Sequence, residues 1–177
     1  MKDIVRLFAQ IALLRRGPQD LPASELLLAL TVLGYFCVNF VLSSVLPPDA
    51  HWRGPLLIDT VFTLLWYVAL LRFVGRPERI LQTTTAVFGF QAVLSPLLIA
   101  SEWLMRRVSE DTSTSTSSSQ VLVTCVGLLL LAWLIAANSH VVKAALEWSV
   151  SASVALVILQ MLVGWLVVSA VFSPVKA

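Results

Sequence analysis

The chain has 177 residues, of which 58% are hydrophobic and 12% charged, with a formal net charge of +2 and a mean hydropathy of +0.89. Soluble domains carry about 45–50% apolar and about 25% charged residues, so this composition excludes a soluble globule and makes the bilayer the solvent. The small, unclustered charge excludes a nucleic-acid partner.

Residues 1–16 open the chain. Ile4, Val5, Leu7, Phe8, Ile11, Ala12 and Leu14 fall on one side of a helical wheel, with Lys2, Asp3, Arg6 and Gln10 opposite. That pattern predicts an amphipathic helix lying in a membrane interface. Leu13 interrupts its polar face and Arg15 its apolar one. Gly17 and Pro18 end the helix, Pro22 keeps the chain extended, and Ser24 before Glu25 is placed to cap the next one. The stretch "LLRRGPQDLPASELLL" therefore reads as a corner between lying on the membrane and crossing it. A signal peptide fails on length, because the apolar run that follows is about twice an h-region and sits behind a structured lead. Residues 1–23 form a cytoplasmic lead to a transmembrane domain at 24–173.

A spanning helix needs about 20 predominantly apolar residues. Five segments qualify, at 25–46, 56–74, 80–101, 120–142 and 148–172, so the predicted fold is an all-α bundle of five transmembrane helices. Asp59 and Arg72 trim the second span, which still crosses if both charges reach opposite interfaces. "PPDAHWRGP" and "GRPER" supply the Pro and Gly that punctuate helices, and residues 108–119, rich in Ser and Thr, form a flexible external loop. With a cytoplasmic N-terminus, Lys2, Arg6, Arg15, Arg16, Arg72, Arg76, Arg79 and Lys143 lie inside, against Arg53, Arg106, Arg107 and Lys176 outside. That bias orients the C-terminus outward. Trp52, Trp103 and Trp148 fall at predicted interfaces, whereas Trp66, Trp133 and Trp165 fall deeper, as packing residues whose indole N–H groups want partners. Cys37 and Cys125 sit inside apolar runs and read as small buried hydrophobes.

Motifs for chemistry are absent: no metal-ligand spacing, nucleophile elbow or phosphate-binding loop occurs, and the histidines, His51 and His140, are far apart. No enzyme, cofactor or metal is predicted. The candidates are polar residues inside the spans, which hydrocarbon makes costly: Asn39, Asp59, Gln82, Thr83, Thr84, Thr85, Gln91, Asn138, His140 and Gln160. Amides at Asn39, Gln91 and Gln160 suit hydrogen bonds between helices, while Asn138 and His140 are explained by interfacial solvation. Asp59 reads either as a helix-start carboxylate facing Arg53 or as an intramembrane acid in a proton or cation path. Thr85, Gly89, Ala92 and Pro96 make a small-residue face for close helix approach, and Pro96 is expected to kink the span and free a carbonyl near Ala92.

"RRGPQDLPAS" before the first span, "RGPLLI" at 53–58 and the polar third span "ILQTTTAVFGFQAV" resemble the YIP family of small five-span membrane proteins, in a bacterial-type form. In eukaryotic members the Gly-Pro-Leu element precedes the first span; here it precedes the second. The resemblance implies a non-enzymatic protein that works through partners or by shaping the bilayer.

Two functions follow as expectations. The first is an accessory or scaffold of the bacterial inner membrane, acting on another membrane protein or as a homo-oligomer. Its basic residues Lys2, Arg6, Arg15, Arg16, Arg72, Arg76 and Arg79 would meet anionic headgroups. The second is a small transporter or channel with a polar path around Asp59, Asn39, Gln82 and Gln91.

Overall fold

The computed structural model describes residues 2–45, 53–110 and 118–172. The expectations for His51, Trp52, Lys176 and most of the Ser/Thr loop lie outside the described residues. Six α-helices follow one another: α1 Lys2–Ala12, α2 Glu25–Val45, α3 Arg53–Phe73, α4 Ile80–Glu110, α5 Ser118–Leu146 and α6 Val150–Phe172. Five of them, α2 to α6, are long and apolar enough to cross a membrane.

The buried stripes of the outer helices are polar and their open faces apolar. Thr31, Tyr35 and Asn39 of α2, Thr60, Thr63 and Tyr67 of α3, and Ser153 and Gln160 of α6 turn inward. Leu26, Leu30 and Leu33, Leu57 and Leu65, and Leu162 and Leu166 turn outward. This inverts the amphipathicity of a soluble bundle and matches a hydrocarbon solvent. Cys37 and Cys125, expected inside, are also exposed on the bundle surface, where a thiol faces hydrocarbon at little cost.

At the centre stands α4. Of its apolar window 56% is buried, against 22% or less for the other spans. It continues to Glu110 rather than ending at 101, because Glu102 pairs with Arg106 at 2.7 Å and the Arg107 guanidinium lies 4.3 Å from the centre of the Trp103 ring. At about 1.5 Å per residue its 31 residues exceed the ~30 Å hydrocarbon thickness, so it extends past the bilayer. The helix runs through Pro96 unbroken.

The N-terminal helix forms as its pattern predicts but ends at Ala12, not Arg16. Leu14 takes a left-handed φ of 61°, while Arg15 N–H bonds Gln10 O at 2.9 Å in a Schellman-type cap. Part of its apolar stripe is covered by protein: Phe8, Ile11 and Ala12 join the core with Val87, Phe90 and Val141, while Val5 stays exposed. Gly89 is the notch that admits Phe8, since a Cβ there would stand 2.2 Å from the Phe8 ring. Of the small-residue face of α4, Gly89 thus receives α1, while Pro96 lies beside Cys37, Val38 and Val41 of α2.

The corner after α1 is tied down at three carbonyls. Trp133 Nε1 donates to Ala12 O at 2.9 Å, and His140 Nε2 lies 3.2 Å from Arg16 O. Gln82 Nε2 donates to Leu21 O at 2.8 Å. The first satisfies a helix-end carbonyl that has no partner within α1. Ser24 caps α2 as expected, its Oγ accepting from Leu27 N–H at 3.3 Å.

The α3–α4 turn and the α5–α6 turn are clamped together. Arg76 and Arg79 donate to the two Glu147 carboxylate oxygens at 2.8 and 2.6 Å, and Arg79 also reaches the α5 carbonyls of Ala144 and Ala145 at 3.0 and 2.9 Å. Of the basic residues expected at headgroups, these two therefore face a carboxylate, and Arg16 faces Asp20 at 3.6 Å. Arg6, Arg15 and Arg72 are exposed. Of Lys2 only the backbone is described. The hydrogen bonds from Arg76 and Arg79 hold the Glu147 carboxyl down from 4.5 to about 2. A carboxyl depressed by folding stabilises the folded chain above its unfolded value, and that contribution disappears as pH falls from 4.5 toward about 2. Glu147→Gln is expected to be less stable than the parent at neutral pH and to lose less across that acid window. Thermal melts in detergent against pH check this; parallel acid limbs would contradict it.

Candidate functional site

The inward stripes leave a cavity of about 390 Å³ between the spans. Each spanning helix contributes one amide or carboxyl side chain to its wall: Asn39 from α2, Asp59 from α3, Gln91 from α4, Asn138 from α5 and Gln160 from α6. Five of the ten intramembrane candidates thus meet in one place. Asn138, expected at an interface, is 4% exposed and lines the cavity. Gln82 belongs elsewhere: with Arg79 and Glu147 it lines a separate cavity of about 490 Å³ beside the clamped turns. His140 stays with the corner, on Arg16 O.

Local helical geometry aims these groups. Asn39 Nδ2 donates to Tyr35 O one turn back at 2.8 Å, which fixes the amide against α2. Ser95 Oγ likewise donates to Gln91 O at 2.8 Å. Asp59 and Thr63 follow one another on α3 at the i, i+4 spacing that shares a helix face, with Phe62 between them on the same wall. Gly164 of α6 lets Phe62 come close, a Cβ there standing 3.0 Å from its ring.

Two tyrosines, the only two in the chain, organise the polar groups. Tyr35 Oη donates to Asp59 Oδ2 over 3.4 Å, a long bond, and its ring meets Phe88 edge-on at 5.2 Å. Asp59 therefore faces Tyr35 rather than Arg53. Tyr67, with no exposed surface, places its hydroxyl 2.8 Å from Asn138 Oδ1 and 2.7 Å from Gln160 Oε1. One hydroxyl proton can be donated to one amide oxygen at a time, so the second amide is satisfied by turning its NH₂ to the phenol oxygen. Asn138 and Gln160 line the cavity, and with Tyr67 bonded behind them they form its floor. Beneath it Leu71, Val87 and Val141 are fully buried in the core.

Sequence reading missed Tyr35, Tyr67, Thr63 and Ser95. The available signal was spacing: Thr31, Tyr35 and Asn39 recur every four residues, as one helical stripe.

Electrostatically the cavity is one-sided. Among the described residues Asp59 is its single carboxyl group, and no Lys, Arg or His lines it. The remaining polar groups are neutral amides and hydroxyls, and Phe62, Trp165 and Met161 complete the wall. In comparisons with known proteins, no family model, no curated protein and no solved structure matches this chain.

Proposed function

We propose that the chain binds a small polar solute within the membrane and passes it across, as a compact transporter or channel-like protein or a subunit of one. The observation that carries this reading is the convergence of one polar side chain from every span on a single cavity. Polar groups in hydrocarbon are costly unless they bond one another or a ligand. Here the Gln91 side chain and Asp59 Oδ1 have no hydrogen-bond partner among the described residues. A volume of about 390 Å³ suits a small molecule better than a bare ion. With the N-terminus cytoplasmic, the cavity occupies the outer half of the bundle and the Tyr67 triad closes it toward the cytoplasm.

The test is solute entry into liposomes holding the purified full chain, followed by light scattering against a panel of small neutral, cationic and anionic solutes. At least one class should enter faster than into protein-free liposomes, and Ser95→Leu, which fills the cavity, should remove the difference. Entry no faster than in protein-free liposomes for every solute overturns the reading.

A second reading, an accessory subunit of a bacterial inner-membrane assembly as the YIP resemblance implies, draws support from the open face of α1. There Val5 and Leu13, 59% and 51% exposed, flank Arg6. A stoichiometric membrane partner co-purifying in mild detergent, and lost on replacing Val5, Arg6 and Leu13, would favour it.

A further inference from the structure

The cavity reading above leaves the class of solute open, and the wall chemistry narrows it; the inference rests on that reading. We infer that the cavity is a site for a small free alkylammonium ion, with Asp59 as the counter-charge and Phe62, Trp165 and Tyr35 as aromatic walls.

Charge comes first. Asp59 supplies the only carboxyl group among the described residues of the wall, and no cationic side chain among them neutralises it. Its one hydrogen bond among the described residues, from Tyr35 Oη, is long at 3.4 Å. A carboxylate so placed gains most from a cation brought by the ligand, and an anionic solute would meet repulsion with no compensating donor charge.

The aromatic walls then separate an organic cation from an inorganic one. Phe62 lies three residues after Asp59, on the same turn and the same wall, and Trp165, 68% exposed, borders the cavity at its rim from α6 beside Gly164. Aromatic faces attract ammonium groups through the ring quadrupole, and they pack against the alkyl substituents at the same time. A metal ion would make no use of these rings and would want several oxygen ligands closing around it at short range. The amides of Asn39, Gln91 and Gln160 offer oxygens to the N–H or hydroxyl groups of an amino alcohol.

Size and polarity exclude a lipid headgroup as the source of the ammonium. A zwitterionic headgroup would carry its phosphate into a space that holds a carboxylate and, among the described residues, no cationic side chain. A free amine of few atoms has no such liability.

The experiment is thermal stabilisation of the detergent-solubilised full chain, titrated with choline, ethanolamine, the uncharged carbon isostere of choline (dimethylbutanol), acetate and a lysophosphatidylethanolamine. Choline and ethanolamine should saturate, with choline binding about tenfold or more tightly than its isostere. Asp59→Asn should reduce choline binding to the level of the isostere, and Phe62→Leu should weaken choline severalfold while leaving the isostere unchanged. Should Asp59→Asn fail to fold, the comparison of choline with its isostere on the parent chain, together with Phe62→Leu, decides the matter. Equal binding of choline and the isostere, preference for acetate, or stabilisation by the lysolipid alone overturns the inference. Faster entry of neutral solutes in the liposome assay, with no ammonium preference, would overturn it while leaving the cavity reading intact; no entry of any solute removes both.

Discussion

Alanine at position 89 is expected to unseat the N-terminal helix. The added Cβ would stand 2.2 Å from the Phe8 ring, well inside contact distance, and Phe8 has little room to retreat. Its ring is 8% exposed, and the segment behind it is anchored through Ala12 O, Arg16 O and Leu21 O. Overpacking of this kind costs about 1–3 kcal/mol. Phe8→Ala removes the ring instead and leaves a void, at about 3 kcal/mol or more. The double variant Phe8→Ala with Gly89→Ala should then cost clearly less than the sum of the two, because the new methyl group enters the space the ring vacates, and a mutant cycle on melting temperature reads that coupling. Hydrogen exchange over Lys2–Ala12 should rise in Gly89→Ala, since release of α1 exposes its amides without unfolding the spans. Additive costs with unchanged exchange would show that α1 does not bear on Gly89.

The difference between what was legible in the sequence and what was not follows the same division between local and long-range physics. Apolar run length marks a spanning helix without knowledge of its neighbours, so α2 to α6 could be read directly. The ends of α4 and α5 could not, because a helix does not stop where the hydrocarbon stops; Glu102–Arg106 pairing and the Arg107–Trp103 contact prolong α4. The stripe on α1 was legible, but an apolar stripe is equally suited to lipid and to a protein groove, and only the notch at Gly89 distinguishes them. The same holds for the polar residues. Each could be named, yet whether Gln82 or Asn138 reached the common cavity depended on which helix faces met. Gln82 was taken up by the carbonyl of Leu21, and Asn138 by Tyr67. The tyrosines escaped notice because a phenol counts as aromatic in any hydropathy pattern while its hydroxyl carries the polar contact.

Tyr67 accordingly carries the second large effect. Phenylalanine at this position keeps the ring volume and removes the one group that serves both Asn138 and Gln160. Two buried amides would then face an apolar edge, each losing a hydrogen bond worth somewhat under 1 kcal/mol to about 2 kcal/mol between membrane helices, so Tyr67→Phe should cost about 1–3 kcal/mol. Combining it with Asn138→Leu and Gln160→Leu should recover much of that loss, because an apolar triad leaves no unsatisfied group. Tyr67→Ala goes further: the side chain has no exposed surface, and its removal opens a void at the cavity floor at about 3–5 kcal/mol. The two variants also separate the floor's two tasks. If the ring is the barrier and the hydroxyl sets only its position, Tyr67→Phe liposomes should hold a trapped solute like the parent, whereas Tyr67→Ala liposomes should leak it. Leakage through both would assign closure to the hydrogen bonds that join α3, α5 and α6, and leakage through neither would place the barrier below, at Leu71, Val87 and Val141.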